Sequence, residues 1–444
     1  MYDLVSAVAV RKESGMRDAT VVVVGAGVSG LVAARELRRR GIEVIVVEAA
    51  DRVGGRTLAE TTALGSRVDL GGQWIGHNHH RVTALAAELG ATPFPMHTGR
   101  LPVLIDRSRR LSVPAPSTFL AVFILLLAEV LSRTGITRRW NAVTVASWLA
   151  KVPGASTRRL LDVIAAISWT ADLDRLSIHA AARMIRNQGG LYTMLSTHGG
   201  AQDSLLVEGM GALSERMADE LGARIRLGQR VLSIEQGESG VIVRTSAGEI
   251  RADKVIVTVP PPLLDRISYT PELPSAHTEL ASAGYMGSVY KAIAVYEQPF
   301  WRERAGGEFL ILDAPGRAVF DTTPPGGPGH LCVLVGGPAA RDLDRLDPAG
   351  RRDAVLGTLV RHIGPEVGEP VGWHEKSWSG DEYVGGGYMA VPVPGTTAGL
   401  PPVGFDPVGA IHWAGTERAA DHAGYVEGAI ESGARAAREV IAAL

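Results

Sequence analysis

The glycine-rich stretch close to the N-terminus constrains this chain more than any other feature, and from residue 21 it reads VVVVGAGVSGLVAARELRRRGIEVIVVEAADRVGGRT. The apolar, β-branched run Val21–Val24 predicts a buried strand, and a helical pattern follows over 29–40. Gly41 ends the helix, and 43–47 predict a second strand that stops at Glu48. The order strand, helix, strand predicts a β-α-β unit with parallel strands.

Three glycines, Gly25, Gly27 and Gly30, join the first strand to the helix with G-x-G-x-x-G spacing. The first permits a tight turn, the second lets a pyrophosphate approach the backbone, and the third lets helix and strand pack closely. The helix N-terminus offers unpaired N–H groups to the phosphates. Glu48 can accept hydrogen bonds from two ribose hydroxyls and would repel a 2′-phosphate. The complete unit therefore predicts dinucleotide binding rather than a simple glycine turn, without separating NAD from FAD.

Length and composition predict a two-domain globular enzyme. The 444 residues exceed what one hydrophobic core usually holds. The net charge of -2 gives no pull toward nucleic acid, and basic runs such as 107–110 are explained by solvated loops. Cys332 is the only cysteine, so it cannot form an internal disulfide. We expect it to be a small buried residue, which fits a reducing, cytoplasmic compartment.

No segment predicts a transmembrane anchor or a metal site. Residues 1–16 are expected to be an N-terminal extension, because their apolar patch precedes the basic residues, the reverse of a signal peptide. The most apolar run, Phe119–Ala128, is too short to span a bilayer and predicts a buried helix, with contact at a membrane surface as the alternative. The cluster at 77–80, HNHH, has no matching ligand cluster, so a polar loop is expected.

The middle of the chain changes character twice. Residues 83–200 read as helices of a covering domain, with helical patterns at 142–149, 158–167 and 178–186. Residues 205–262 then contain a helix followed by extended segments at 224–227, 230–234, 241–245 and 255–259, with turns at 236–240 and 246–248. This pattern predicts a return to the cofactor-binding domain.

Several later segments suggest a site, although each has an ordinary structural explanation. Gly71 and Gly72 indicate either close backbone approach to a ligand or a turn. Lys291 lies in a predicted strand, and a lone lysine is by default exposed. Tyr388 and Tyr425, taken singly, would be core residues. Residues 411–428 predict a strand end, a glycine turn and a helix start, and such a helix start can stabilise negative charge.

Together these segments resemble the flavin-containing amine oxidase family, nearest its monoamine oxidase branch, over nearly the whole chain after Asp18. The resemblance rests on D-R-x-G-G-R at 51–56, G-S-V-x-K at 287–291, G-G-x-Y at 385–388 and G-T-E…G-Y-x-E-G at 415–428. It implies a two-domain α/β FAD-dependent amine oxidase fold. The implied domains are a Rossmann-type (GR2-like) FAD-binding domain at 17–80, 204–280 and 381–444, and a mixed α+β substrate domain at 81–203 and 281–380.

The resemblance also implies roles for individual residues. Lys291 would reach flavin N5 through a water, and Tyr388 and Tyr425 would flank the amine as an aromatic pair. Leu195 and Gln202 would lie between the substrate entrance and the flavin, although simple packing explains them equally well. Cofactor contacts are implied for Gly25, Gly27, Gly30, Glu48, Gly55, Arg56, Gly71, Gly72, Gln73, Trp74, Val231, Trp378, Gly415, Glu417 and Val426.

The implied reaction is oxidation of a carbon–nitrogen bond by hydride transfer to flavin N5, followed by imine hydrolysis and reduction of O2 to H2O2. Covalent members carry cysteine immediately before the first tyrosine of the pair, Tyr388, where this chain has Gly387, so noncovalent FAD is expected. A homodimer is a further expectation, and the identity of the amine stays open. The alternatives are a desaturase or protoporphyrinogen-oxidase-like flavoenzyme, a polyamine or amino-acid oxidase, and a flavin-binding protein without turnover.

Overall fold

The computed structural model describes residues 17–99, 102–111, 115–303, 306–396, 398–400 and 406–444, so the predicted extension at 1–16 lies outside the described residues. The α-helices are α1 Val28–Arg39, α2 His80–Glu88, α3 Pro116–Ser132, α4 Val145–Leu149, α5 Ala155–Trp169, α6 Ile178–Asn187, α7 Leu191–Leu195, α8 Gly211–Leu221, α9 Ser275–Ser282, α10 Pro338–Leu343, α11 Pro348–Ile363 and α12 Val426–Ala442.

The β-strands follow the same chain order. They are β1 Val21–Val24, β2 Val44–Val47, β3 Ala59–Thr61, β4 Arg67–Asp69, β5 Pro93–Pro95, β6 Val103–Asp106, β7 Arg109–Arg110, β8 Ser204–Leu206, β9 Ile225–Arg226, β10 Val231–Gly237, β11 Gly240–Thr245, β12 Gly248–Ala252, β13 Lys254–Val257, β14 Ser268–Thr270, β15 Gly284–Met286, β16 Val289–Tyr296, β17 Glu308–Ile311, β18 Arg317–Asp321, β19 Gly329–Gly336, β20 Gly372–Ser377, β21 Ala390–Pro392 and β22 Ile411–Trp413.

A five-stranded parallel sheet with the order β22-β13-β1-β2-β9 carries the glycine-rich unit. All four valines of β1 are buried, as expected for a central strand of a parallel sheet that is covered on both faces. The predicted strand-helix-strand unit is thereby confirmed. The last helix, α12, packs on α1 so closely that a Cβ at Gly433 would lie 2.2 Å from the carbonyl oxygen of Ser29. The N-terminal and C-terminal parts of the described chain therefore pack against each other beside the parallel sheet.

A four-stranded sheet, β12-β11-β10-β14, lies beside it and contains two strands that the sequence does not predict, β12 and β14. The predicted turn at 246–248 leads directly into β12, which pairs antiparallel with β11. In β12, Ile250 and Ala252 are buried and the other residues are exposed. Such a short, mostly polar strand at a sheet edge has too little apolar alternation to be recognised from sequence.

A seven-stranded sheet, β20-β16-β19-β18-β17-β6-β7, forms the second large layer. Its register places Lys291 opposite Leu334, Leu334 opposite Ala318, and Ala318 opposite Leu310. Residues directly opposite one another share a face of the sheet, so these four side chains form one row. We call this face, which includes the Lys291 row, the cavity face.

The helices α4, α5 and α6 confirm the helical patterns in the first covering segment; α6 starts where predicted, and the starts of α4 and α5 differ by a few residues. Together with the parallel sheet they give the two-domain α/β fold expected from the sequence. The domain boundaries themselves stay a prediction.

Helix α3 departs most clearly from the sequence prediction. Its Ala121 and Ile124 are buried, but Phe119, Phe123 and Leu126 are 64%, 63% and 61% exposed. The prediction of a buried helix is therefore wrong for one whole side of α3. A run that is apolar all round cannot show which side has a packing partner. Among the residues that the structure describes, every helix is too short or too polar to reach across a bilayer.

Candidate active site

A cavity of about 1110 Å³ extends from the carboxyl end of β1 to the cavity face of the seven-stranded sheet. Most residues that the resemblance singled out border it. They are Gly25, Gly27, Glu48, Gly55, Arg56, Gly71, Gly72, Gln73, Trp74, Leu195, Gln202, Val231, Lys291, Trp378, Tyr388, Tyr425 and Val426. Gly30, Gly415 and Glu417 do not border it.

The three glycines at the end of β1 serve three different purposes. Gly25 has φ of +104°, and a Cβ there would lie 2.3 Å from Thr258 Oγ1. A Cβ at Gly30 would lie 2.0 Å from the carbonyl oxygen of Gly25, so this glycine permits helix and strand to touch. At Gly27 the nearest protein atom would be 3.9 Å away, which leaves room on the cavity side. Because α1 has no side-chain N-cap, its first N–H groups can serve a phosphate.

Glu48 lies at the end of β2 and already holds two backbone donors. Its Oε2 accepts a hydrogen bond from the N–H of Ala26 at 2.7 Å, and its Oε1 accepts one from the N–H of Ala50 at 2.9 Å. A carboxylate has about four acceptor positions, so each oxygen can accept one more bond. Burial raises the pKa of Glu48 despite these two donors. Two ribose hydroxyls would supply the donors that the buried carboxylate still lacks, which fits the ADP-ribose end of FAD.

Gly71 and Gly72 border the cavity, but the protein itself explains the first. A Cβ at Gly71 would lie 2.2 Å from the carbonyl oxygen of Arg56. At Gly72 the closest atom would be Val426 Cγ2, at 3.4 Å, which is ordinary contact. Close approach of a ligand, one of the two interpretations from sequence, is therefore not needed to account for Gly71.

Arg56 connects three distant parts of the chain. Its guanidinium donates two hydrogen bonds to Glu417, at 2.6 and 3.0 Å, and one to the carbonyl oxygen of Tyr388 at 2.8 Å. Burial acts to raise the pKa of Glu417, but the charge of Arg56, its hydrogen bonds and backbone N–H donors together outweigh burial and hold that pKa below its usual value. Glu417 thus acts on the cavity by fixing Arg56, and direct contact of Glu417 or Gly415 with a cofactor stays a prediction.

Lys291 is buried at the floor of the cavity, which excludes the surface-lysine interpretation. Its Nζ donates to the carbonyl oxygen of Gly71 at 2.8 Å and to Gln73 Oε1 at 2.5 Å. The ring centroid of Trp74 is 5.4 Å from Nζ. Burial lowers the pKa of Lys291, and nearby Asp69 opposes this shift. An ammonium has three N–H donors, so one remains for a group in the cavity.

Cys332 lies on the cavity face two residues from Leu334. It is buried, as predicted, and its Sγ is 3.6 Å from Gln73 Nε2. Cys332 does not border the cavity, whereas Gly387 does. The position at which covalent family members carry their sulfur is therefore a glycine at the cavity wall.

Tyr388 and Tyr425 both border the cavity from the C-terminal part of the chain. The N–H of Tyr388 donates to Thr170 Oγ1 at 3.0 Å. Tyr425 directly precedes α12, and its carbonyl oxygen accepts a hydrogen bond from Thr416 Oγ1 at 2.8 Å. Burial raises the pKa of both phenols, so both rings stay neutral at physiological pH. Two neutral tyrosine rings therefore border the same cavity as Lys291.

His79 is a buried neighbour of Tyr425 that the sequence assigned to a polar loop. Its Nδ1 accepts a hydrogen bond from the N–H of Gly76 at 2.8 Å. Its ring meets those of Tyr425 and His422 edge to face, with centroids 5.1 and 5.0 Å apart. Burial lowers the pKa of His79 to about 3, so the imidazole is neutral. His79 lies in the loop that the sequence predicts, at the N-cap of α2, but its burial was not predicted, because the rings that pack against it come from residues more than 300 positions away. Within the described ranges, no cluster of three or more His, Cys, Asp or Glu residues could hold a metal.

Comparisons with known proteins all indicate one family. The family model for flavin-containing amine oxidoreductases matches residues 28–441. AofH of Mycobacterium tuberculosis H37Rv, whose name assigns it to the flavin-containing monoamine oxidases, is 36% identical over 96% of this chain and 97% of its own length. Human amine oxidase [flavin-containing] B is 33% identical over 96% of this chain and 86% of its own. The structure of cyclohexylamine oxidase from Brevibacterium oxydans IH-35A superposes with a TM-score of 0.91 at 30% identity, covering 96% of this chain and 99% of that one.

The match covers the glycine-bearing helix, the strand with Lys291 and both tyrosine segments in a single continuous span. The chain therefore belongs to the flavin-containing amine oxidoreductase family and is an oxidoreductase that acts on amines.

Proposed function

We propose that this protein binds FAD noncovalently and oxidises a carbon–nitrogen bond of a small amine to an imine, with O2 as the final electron acceptor. The observation that carries this proposal is that one cavity joins the Glu48 cradle to buried Lys291 and to the rings of Tyr388 and Tyr425. The flavin, when bound, supplies the hydride-accepting chemistry. Binding, orientation and exclusion of water are left to the protein.

Each group at the cavity has a part that its surroundings support. Glu48 binds the ribose, and the open N-terminus of α1 binds the diphosphate. Lys291 uses its third N–H to hold a water at the cavity floor. The two tyrosine rings orient the neutral amine and keep bulk water away from its nitrogen. The role of each residue is part of the proposal.

Reduction of bound flavin by amines under anaerobic conditions tests the proposed activity. We expect the yellow flavin absorbance to bleach with at least one compound in a panel of aryl-alkyl amines, diamines, amino acids and amino sugars. Readmitting air should restore the colour and release peroxide in proportion to the amine consumed. A flavin that stays oxidised with every amine would favour a desaturase-like enzyme or a binding protein without turnover.

The attachment of FAD gives a second prediction. Because Gly387 offers no sulfur at the cavity wall, acid precipitation of the holoprotein should release the flavin into the supernatant. The absorbance of the supernatant and of the washed pellet measures the two fractions. Flavin that remains on the pellet would show a covalent bond at some other side chain.

The homodimer and the cytoplasmic location stay predictions without support from the described contacts.

A further inference from the structure

Residues 379–384 form turns between β20 and β21, and we call this segment the strap. Five consecutive residues of the strap, 380–384, border the cavity. Gly380 and Glu382 are exposed, whereas Val384 is buried. A segment that borders the cavity and also faces solvent lies where the cavity opens. The strap is therefore in a position to control what enters and leaves.

Asp381 fixes the shape of the strap and ties it to two cations. Its Oδ1 accepts hydrogen bonds from the N–H groups of Tyr383 at 3.2 Å and Val384 at 3.1 Å. Its Oδ2 accepts one from Lys376 Nζ at 3.0 Å and lies 3.8 Å from Arg52 Nη2. The Asp381 side chain is 14% exposed, so salt and water screen these ion pairs less than they would at the surface. One carboxylate thus shapes the turn and anchors it.

The two cations that bind Asp381 are themselves held in place. Arg52 donates a hydrogen bond to the carbonyl oxygen of Gly55 at 2.9 Å. The ring centroid of Trp378 is 5.7 Å from Arg52 Cζ and 5.2 Å from Lys376 Nζ, within the range of cation–π attraction. The Trp378 indole N–H donates to the carbonyl oxygen of Leu70 at 2.8 Å. Asp381 therefore docks on a fixed pair of cations.

The strap has a second, weaker attachment beside β10 and β14. The guanidinium of Arg266, two residues before β14, donates to the carbonyl oxygen of Glu382. Arg230, directly before β10, has its Nη1 4.0 Å from Glu382 Oε1. Both side chains of this ion pair are exposed, so it contributes little. Arg52, Arg230 and Arg266 all border the cavity, so the strap connects separate parts of its border, with Asp381 as the stronger attachment.

We propose that the strap retains bound FAD and that Asp381 is its latch, which has to release Lys376 and Arg52 before the cofactor leaves. The proposal rests on the noncovalent FAD binding proposed above and concerns how fast the cofactor exchanges. Glu48, Gly27 and the strap border one cavity, so a dinucleotide bound at Glu48 shares the space that the strap borders. Without a covalent bond to the flavin, retention depends on closure by the protein.

Removing the charge of Asp381 has a second effect, which acts on release in the opposite direction. Arg52, Arg56 and Lys376 border the cavity, and the loss of a nearby negative charge leaves this region more positive. A more positive region binds the FAD diphosphate faster and holds it longer. A broken latch instead speeds both entry and exit. The direction in which the release rate changes therefore separates a latch from a simple effect of charge.

The release of radiolabelled FAD from the holoprotein, chased with excess unlabelled FAD, tests the latch. The variants are Asp381→Asn, which keeps an acceptor oxygen for the turn, Glu382→Gln and Asp342→Asn. Glu382→Gln removes the same charge from the same strap, and Asp342 is 65% exposed on α10 and does not border the cavity. We expect Asp381→Asn to speed release about tenfold, the low end for a lost charge-assisted hydrogen bond, because Lys376 is partly exposed. Neither control should release FAD faster than the wild type.

The outcomes separate the latch from the function beneath it. Release from Asp381→Asn at or below the wild-type rate would overturn the latch, and so would equally fast release from Glu382→Gln. In both cases FAD binding itself would stand. A wild type that holds no FAD would refute the proposed function together with the latch. Should Asp381→Asn not fold, hydrogen exchange of the strap amides in the wild type decides: equal rates with and without FAD refute the latch, and slower exchange with FAD supports it.

Discussion

A Glu48→Ala protein is expected to be purified largely without flavin. The two hydrogen bonds that the free positions of the carboxylate can accept from ribose hydroxyls are charge-assisted, each worth about 1.5–3 kcal/mol. Their loss should weaken FAD binding by roughly a hundred- to ten-thousandfold. Titration of the apoprotein with FAD, followed by the quenching of flavin fluorescence, measures the change.

Glu48 also holds the N–H groups of Ala26 and Ala50, so a control must separate binding from structure. Glu48→Gln retains an acceptor oxygen for one of these N–H groups and should bind FAD with intermediate affinity. The melting temperatures of the apoproteins show what each substitution does to the fold alone. Wild-type FAD affinity in an Ala variant with a lowered melting temperature would mean that Glu48 serves the turn and not the cofactor.

The second large effect is expected at the tyrosine pair. Tyr388→Leu and Tyr425→Leu should each slow anaerobic flavin reduction by about a hundredfold, since small errors in the position of a reacting group cost rate on that scale. The Phe variants should be mild, because the ring face orients the amine and both phenols are neutral. Stopped-flow reduction rates at saturating amine, compared across the four variants, measure the difference.

The pH dependence of the same reaction provides an internal check. Hydride leaves a neutral amine readily and an ammonium poorly, so reduction should accelerate as pH rises through the pKa of the bound amine. Because burial raises the pKa of both tyrosines, they do not lose a proton over that range. Leu variants that melt at lower temperature yet reduce flavin at the wild-type rate would assign the rings to the core and remove the aromatic pair from the mechanism.

The half of the site built from local sequence could be predicted. Gly25, Gly27 and Gly30 act within a single turn, so their spacing along the sequence is enough to predict what they do. Glu48 follows at the end of the next strand. The contributions of Lys291 and the tyrosines could be predicted only through resemblance to a family, since a lone lysine or tyrosine has an ordinary structural explanation. Their convergence on one cavity depends on pairing between distant strands.

The features that sequence did not predict share a physical cause. The row that joins Lys291 to Leu310 comes from three successive strand pairings, and His79 is covered by a ring contributed by Tyr425. The exposed side of α3 also depends on long-range packing. An apolar residue such as Phe119 is buried only where another element packs against it. Hydrophobic pattern reports the tendency to be covered and not the presence of a partner.

The pairing of β13 with β22 and of α1 with α12 has a consequence for biosynthesis. The ribosome releases the glycine-rich unit long before β22 and Tyr425, because nearly the whole described chain separates them. At about 5–20 residues per second, the interval between them is on the order of tens of seconds. Throughout that time the buried side of α1 lacks its cover and the cavity lacks one wall. We therefore expect flavin capture to wait for β22 and Tyr425, and until they emerge the nascent chain exposes an apolar side of α1 to the cell's chaperones.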